Sequence, residues 1–181
     1  MGSEEYIFHI RASLRLPVLA ELGVRALKKV MSISLREVTK ENWVQCIKLK
    51  LTPEQEGLVA PNVDSIAESK FEPHYVLRAI YKNEQVVGFL MYCPEIETEE
   101  KDLYWLFRLM VDAEYQKQGI GKAALELALN EISKNNCRKI NILYSPKNFV
   151  AARLYERFGF KQVGIAEDGD IIVQKRINIR E

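Results

Sequence analysis

The chain has 181 residues, 48% of them apolar and 28% charged, with a formal net charge of +1. That length supports one domain with a real core, and that charge gives no basic footprint for nucleic acid and no pull toward an anionic membrane surface. No apolar run approaches the roughly 18 residues that span a bilayer. Three cysteines without a C-x-x-C pair point to free thiols in a reducing, cytoplasmic setting, and two histidines argue against a metal site built on His and Cys.

Residues 1–30 look foreign to the rest of the chain. Leu14, Leu19, Leu22 and Ala26 could line one helix face, but Pro17 and Gly23 interrupt it. Glu4, Glu5 and Glu21 argue against a transit peptide. A vector-derived or mis-started extension is expected there, with the folded domain over 31–181. Alternation predicts a strand over 32–38. Thr39 can cap a helix carrying Trp43, Cys46 and Ile47, which ends before Pro53. A polar loop spans 51–61, and Asn62 can cap a second short helix stopped near Pro73. Two strands, 75–81 and 86–92, flank a hairpin turn in which Asn83 tolerates positive φ. An acidic loop leads to a strand over 103–111, apolar almost throughout and so expected to be covered on both faces.

The next stretch, Gln116-Lys117-Gln118-Gly119-Ile120-Gly121-Lys122, sits between that strand and a helix whose Ile120, Ala124, Ala128 and Ile132 share a face. The first N–H groups of a helix lack internal partners and carry the positive end of its dipole. Glycines there let an anion come close, so the stretch reads as a cradle for a pyrophosphate. The bare motif also fits a helix start rich in small residues. It is neither a Walker P-loop nor a dinucleotide fingerprint, because the spacings differ. A strand is predicted over 139–144. Asn148 can cap a helix in which Ala151, Leu154, Tyr155 and Phe158 recur at helical spacing, and Gly159 suits its C-terminal end. Two strands, 160–166 and 171–179, close the chain around Asp168-Gly169.

This order of elements resembles the GNAT acetyltransferase superfamily. Residues 116–121 match its [RQ]-x-x-G-x-[GA] motif. Asn148 with 152–160, Ala-Arg-Leu-Tyr-Glu-Arg-Phe-Gly-Phe, matches its downstream motif. Tyr104-Trp105 and 108–112 are similar to bacterial spermine/spermidine acetyltransferases, which often carry an acid where this chain has Phe107. The resemblance implies an α/β fold: a mixed, mostly antiparallel sheet, splayed at the acetyl-CoA site and flanked by about four helices. It implies acetyl transfer from acetyl-CoA to a primary amine, without a metal.

The family's residues carry over one at a time. The main chain of Leu109, Met110 and Val111 would pair with pantetheine. Gln116, Lys117, Gln118, Gly119, Ile120, Gly121 and Lys122 would hold the pyrophosphate. Asn148, a helix cap first, would also bond the pantetheine arm. Tyr155 would protonate the departing thiolate; without the resemblance it reads as a core aromatic. The expected acceptor is a small polyamine such as spermidine or spermine, framed by the loop 51–61 with Glu54 and Glu56 and by the acidic loop 95–102. A protein N-terminus or lysine as acceptor, or a non-catalytic acyl-CoA sensor, are the alternatives. No residue stands out as general base. A homodimer is expected by analogy with the family.

Overall fold

The computed structural model describes residues 32–177, so the extension expected over 1–30 lies outside the described residues. The elements are β1 (Ile33–Glu37), α1 (Trp43–Ile47), α2 (Asn62–Glu68), β2 (Val76–Lys82), β3 (Gln85–Pro94), β4 (Leu103–Val111), α3 (Ile120–Ile132), β5 (Lys139–Tyr144), α4 (Phe149–Arg157), β6 (Lys161–Ile165) and β7 (Ile171–Arg176). Single 3-10 turns stand at Pro53–Gln55 and Ala113–Tyr115. One seven-stranded sheet runs in the order β1-β2-β3-β4-β5-β7-β6. Every neighbouring pair is antiparallel except β4 with β5. The fold expected from the resemblance is therefore present: a mixed, mostly antiparallel sheet with four helices.

The sheet is covered on both faces, as the apolar run of β4 requires. On one face Ile120, Ala124, Leu125, Ala128 and Ile132 of α3 join Tyr155 of α4 against Leu90, Leu106, Ile140 and Ile142. On the other, Cys46 of α1 and Ile66 of α2 meet Ala79, Phe89, Met91 and Met110. Alternate residues of one strand point to opposite faces, which is why Leu106 and Met110 enter different clusters across the intervening bulge. Glu131 of α3 is bound to the sheet by a polar clamp. Its carboxylate accepts from Arg78 Nε at 2.8 Å and from Tyr92 Oη at 2.6 Å.

The short helices depart from expectation. Asn42, not Thr39, stands at the start of α1, and Pro61, not Asn62, precedes α2. Asn62 is buried and donates its side-chain amide to the Cys46 carbonyl at 2.8 Å. That tertiary bond ties α2 to α1, and Asn62 stands inside the helix rather than at the position before it. At Asn148 the local reading holds: its side chain accepts from Ala151 N at 3.0 Å. Gly159, at φ 80°, ends α4 in the left-handed region.

Candidate active site

The site begins where the sheet comes apart. β4 registers with β5 only from Leu103↔Lys139 to Leu106↔Ile142, yet it registers with β3 as far as Gly88↔Val111. From Phe107 to Val111, β4 therefore has no strand, among the described residues, on the side facing β5. The parting coincides with a bulge. Met91 opposes Arg108 and Tyr92 opposes Leu106, so Phe107 is the extra residue. A bulge adds twist and turns main-chain groups out of the ladder. The open edge contains Leu109, Met110 and Val111, the three residues assigned to an extended ligand.

At the far end of β4 the chain turns through the cradle. Lys117 and Gly119 both have positive φ, 60° and 79°. Gly119 stands immediately before α3, whose first N–H groups face out of the helix. A Cβ built on Gly119 would meet nothing within 4 Å, and one on Gly121 only Val111 Cγ2 at 3.8 Å. The protein itself leaves this space open, as an approaching anion requires. Lys117, Gln118 and Lys122 are exposed around it, while Ile120 is buried and anchors the first turn in the core. Gln116 turns inward. Its amide donates to the Val111 carbonyl at 3.0 Å and to Gln55 Oε1 at 2.7 Å. Gln55 in turn accepts from Thr52 N, closing the turn at Pro53–Gln55. Asp112 adds a second tie by accepting from Lys50 N at 2.8 Å. The loop over the open edge of β4 is thus fastened to the cradle.

Two adjoining cavities occupy the gap. The smaller, about 120 Å³, runs between Met110, Val111, Gln116 and Gly121. The larger, about 580 Å³, lies between the loop 57–60, the open edge at Phe107–Leu109, the end of β5 and the β6–β7 hairpin. Leu109, Asn148 and Tyr155 line both. Tyr155 is buried, with 6% of its surface exposed, and its ring lies 5.6 Å from that of Tyr144 and 5.9 Å from that of Phe160. Burial, with a smaller contribution from Tyr144, pushes its phenol well above the ordinary value. A phenol held in that state keeps its proton across the physiological range.

The structure brings part of the set singled out by sequence together: Leu109, Asn148 and Tyr155 line both cavities, and Met110, Val111, Gln116 and Gly121 line the smaller one, whereas Lys117, Gln118, Gly119 and Lys122 line neither and Ile120 is buried in the core. Glu54 and Glu56 line neither cavity. Glu54 is exposed; a bond from its own backbone N–H, then Thr52 and nearby Lys117, hold its carboxyl below the ordinary value. The acidic residues lining the larger cavity are instead Glu167, Asp168 and Asp170 of the hairpin, and Arg108 lines it too. Burial, and then Asp168, raise the Asp170 carboxyl. Three acids clustered at the Asp168-Gly169 turn were the available sequence signal; nothing local indicates that this turn reaches Tyr155. The acidic loop 95–102 frames a third cavity, about 290 Å³, whose walls include Glu95, Glu97, Trp105 and Phe107. Among the described residues no helix is long and apolar enough to cross a membrane.

Comparison with known proteins agrees with this geometry. The chain is 28% identical over 152 residues, 81% of its own length and all of the relative's, to the spermine/spermidine N(1)-acetyltransferase of Bacillus subtilis (strain 168). Among solved structures it superposes on the ribosomal-protein-S18-alanine N-acetyltransferase from Escherichia coli with a TM-score of 0.64 at 21% identity, covering 83% of this chain and 97% of that one. It superposes on the PaiA N-acetyltransferase from Thermoplasma acidophilum, solved in complex with coenzyme A, with a TM-score of 0.63 at 18% identity, covering 81% and 100%. The model of the acetyltransferase (GNAT) family matches residues 35–160, which include the open edge of β4, the glycine cradle and Tyr155, and the chain therefore belongs to that family.

Proposed function

We propose that this protein transfers the acetyl group of acetyl-CoA to a primary amine, with a small polyamine of the spermidine or spermine kind as acceptor. The observation that carries the reading is the alignment of three features along one groove: the open glycine cradle, the unpaired edge of β4 and the buried phenol of Tyr155. The N-terminus of α3 with Gly119 and Gly121 receives the pyrophosphate. The main chain of Leu109, Met110 and Val111 supplies hydrogen bonds to an extended pantetheine, and Asn148, whose carbonyl oxygen already caps α4, has its amide N–H groups left for the same arm. Lys117 and Lys122 add positive charge at the cradle.

The acceptor enters from the larger cavity. An alkyl ammonium is neutral in only about one molecule per thousand near pH 7.4, so it first gives a proton to water. The amine nitrogen then forms the new C–N bond as the C–S bond breaks. Tyr155 gives its phenol proton to the departing sulfur, and the second proton shed by the nitrogen restores the phenol through water. Tyr155 suits this role because burial keeps it protonated and it lines both cavities.

Support for a polycation comes from Glu167, Asp168 and Asp170 at the cavity and from the Bacillus relative. The deciding experiment is acetyl-CoA turnover with spermine, spermidine, a peptide with a free N-terminus, a lysine peptide and an aminoglycoside, at two salt concentrations. Spermidine or spermine should give the highest kcat/KM, and that advantage should shrink as salt rises. A peptide preference would make the protein a protein acetyltransferase. Binding of acetyl-CoA without turnover of any amine would make it an acyl-CoA sensor.

A further inference from the structure

The cavity of about 290 Å³ beside the acidic loop is lined by none of the residues assigned to acetyl-CoA, but it includes Phe107, the extra residue of the bulge. Phe107 and Leu143 line both this cavity and the larger one that contains Tyr155, so the two chambers share a wall made by the bulged residue of β4 and the end of β5. The floor is aromatic. The Trp105 and Phe107 rings are stacked with centroids 6.0 Å apart, and Tyr75 lies 5.9 Å from Phe107. Glu95 is held against this floor, accepting from Trp105 Nε1 at 2.9 Å and from the backbone N–H groups of Glu97 and Thr98. The charged and titratable groups facing the chamber are Glu72, His74, Glu95 and Glu97, the Tyr75 phenol, which burial raises, and the Cys93 thiol, which burial pushes up to about 12 and so keeps neutral. The Trp105 bond, working against burial, keeps the Glu95 carboxyl below its ordinary value.

A trough with π faces below and two carboxylates beside it, Glu95 held in place and Glu97 exposed at the rim, suits one kind of guest. An alkyl chain lies on the rings, and an ammonium at its end meets both the ring quadrupoles and the carboxylates. We propose that this chamber holds the far cation of an extended amine whose near end reacts beside Tyr155, and that Trp105, Phe107 and Glu97 thereby set a preference for substrate length. The proposal rests on the amine-acetyltransferase reading above. It also gives Phe107 a part to play: an uncharged ring at the threshold lets the methylene spacer cross between chambers, where an acid would hold a cation at the threshold itself.

The test is kcat/KM for n-butylamine, 1,4-diaminobutane, spermidine and spermine with the full chain, its Glu97→Gln and Trp105→Leu variants, and melting temperatures for all three. Glu97 is exposed and forms no side-chain bond that its loop depends on among the described residues, so Glu97→Gln should fold normally. The expected result is that spermidine exceeds n-butylamine by at least about tenfold, and that each variant cuts that ratio by about three- to tenfold, mainly through KM. Equal turnover of all four amines by the parent, or variants that lower both amines alike, overturns the second-chamber assignment while leaving the acetyltransferase reading intact. Transfer to no amine at all overturns both.

Discussion

Gln116 and Val111 are joined by a hydrogen bond of 3.0 Å from the side-chain amide to the main-chain carbonyl, and the same amide donates to Gln55 at 2.7 Å. One side chain thus ties together the end of β4, the start of the cradle and the loop over the groove. Gln116→Ala should remove both bonds, each contributing about 0.5–1.5 kcal/mol. The affinity for acetyl-CoA, read by calorimetry, should fall several-fold, with only a modest drop in melting temperature. Unchanged affinity would show that the loop holds its place without Gln116.

The two cradle glycines should respond differently. Gly121→Val puts carbon into the space left open above the helix start, in an ordinary helical backbone, so acetyl-CoA binding should weaken by an order of magnitude or more while the melting temperature holds. Gly119→Val adds strain, because its φ of 79° disfavours a branched side chain. That variant should lose stability as well as binding. Binding by Gly121→Val equal to the parent's would refute the cradle.

Tyr155→Phe should lower kcat by roughly ten- to a thousand-fold, near the range for losing one general acid, and leave acetyl-CoA affinity nearly unchanged. Because burial raises the phenol, kcat should not fall through loss of that proton below about pH 10, the ordinary value for tyrosine. The same shift bears on stability. The phenol ionises more readily in the unfolded chain, so its contribution is intact below the unfolded value and declines as pH rises above it. A pH-rate profile of the parent and a turnover assay of the variant test both statements. Retention of kcat within a factor of two would make Tyr155 a packing residue.

Glu131 provides an acid-side prediction. Burial raises its carboxyl, but the bonds from Arg78 and Tyr92 outweigh that and hold it below the ordinary value. A depressed carboxyl stabilises the fold above its unfolded value, and that stability is lost as pH falls through the folded one. Glu131→Gln should therefore cost about 1–3 kcal/mol at neutral pH, since it leaves Arg78 half-buried and uncompensated. The loss should shrink toward low pH. Denaturant midpoints at several pH values check it.

Removing residues 1–30 should leave melting temperature and turnover unchanged, since the family match begins at residue 35 and the expected domain at 31. A large loss of either would assign the segment to the working protein.

What could be read without the structure was what lies close along the chain. Asn148 three residues before Ala151, glycines at the start of a helical repeat, and an unbroken apolar strand each carry their own local physics. The acceptor side was harder because it is assembled by topology. Glu167 and Asp170 belong to a hairpin attached to β5 through β7, and they reach Tyr155 only because β7 inserts between β5 and β6. Phe107 shows the same limit. Its sequence position marks a missing acid, whereas its role as the extra residue of a bulge depends on register with Met91 and Tyr92. Asn62 departs from its expected place for a related reason: its side chain is buried and bonded to the distant Cys46 carbonyl, a partner that sequence spacing does not reveal.

The four register positions that join β4 to β5 have a mechanical consequence. Among the described residues they are the only rungs between a four-stranded half-sheet, β1 to β4, and a three-stranded one, β5 to β7. A molecule lying along the free edge acts as a keystone, restoring the rungs that the bulge removed. Acetyl-CoA should therefore raise the melting temperature of the domain and slow amide exchange along 107–111, whereas inorganic pyrophosphate alone should protect only the start of α3 and leave 107–109 unchanged.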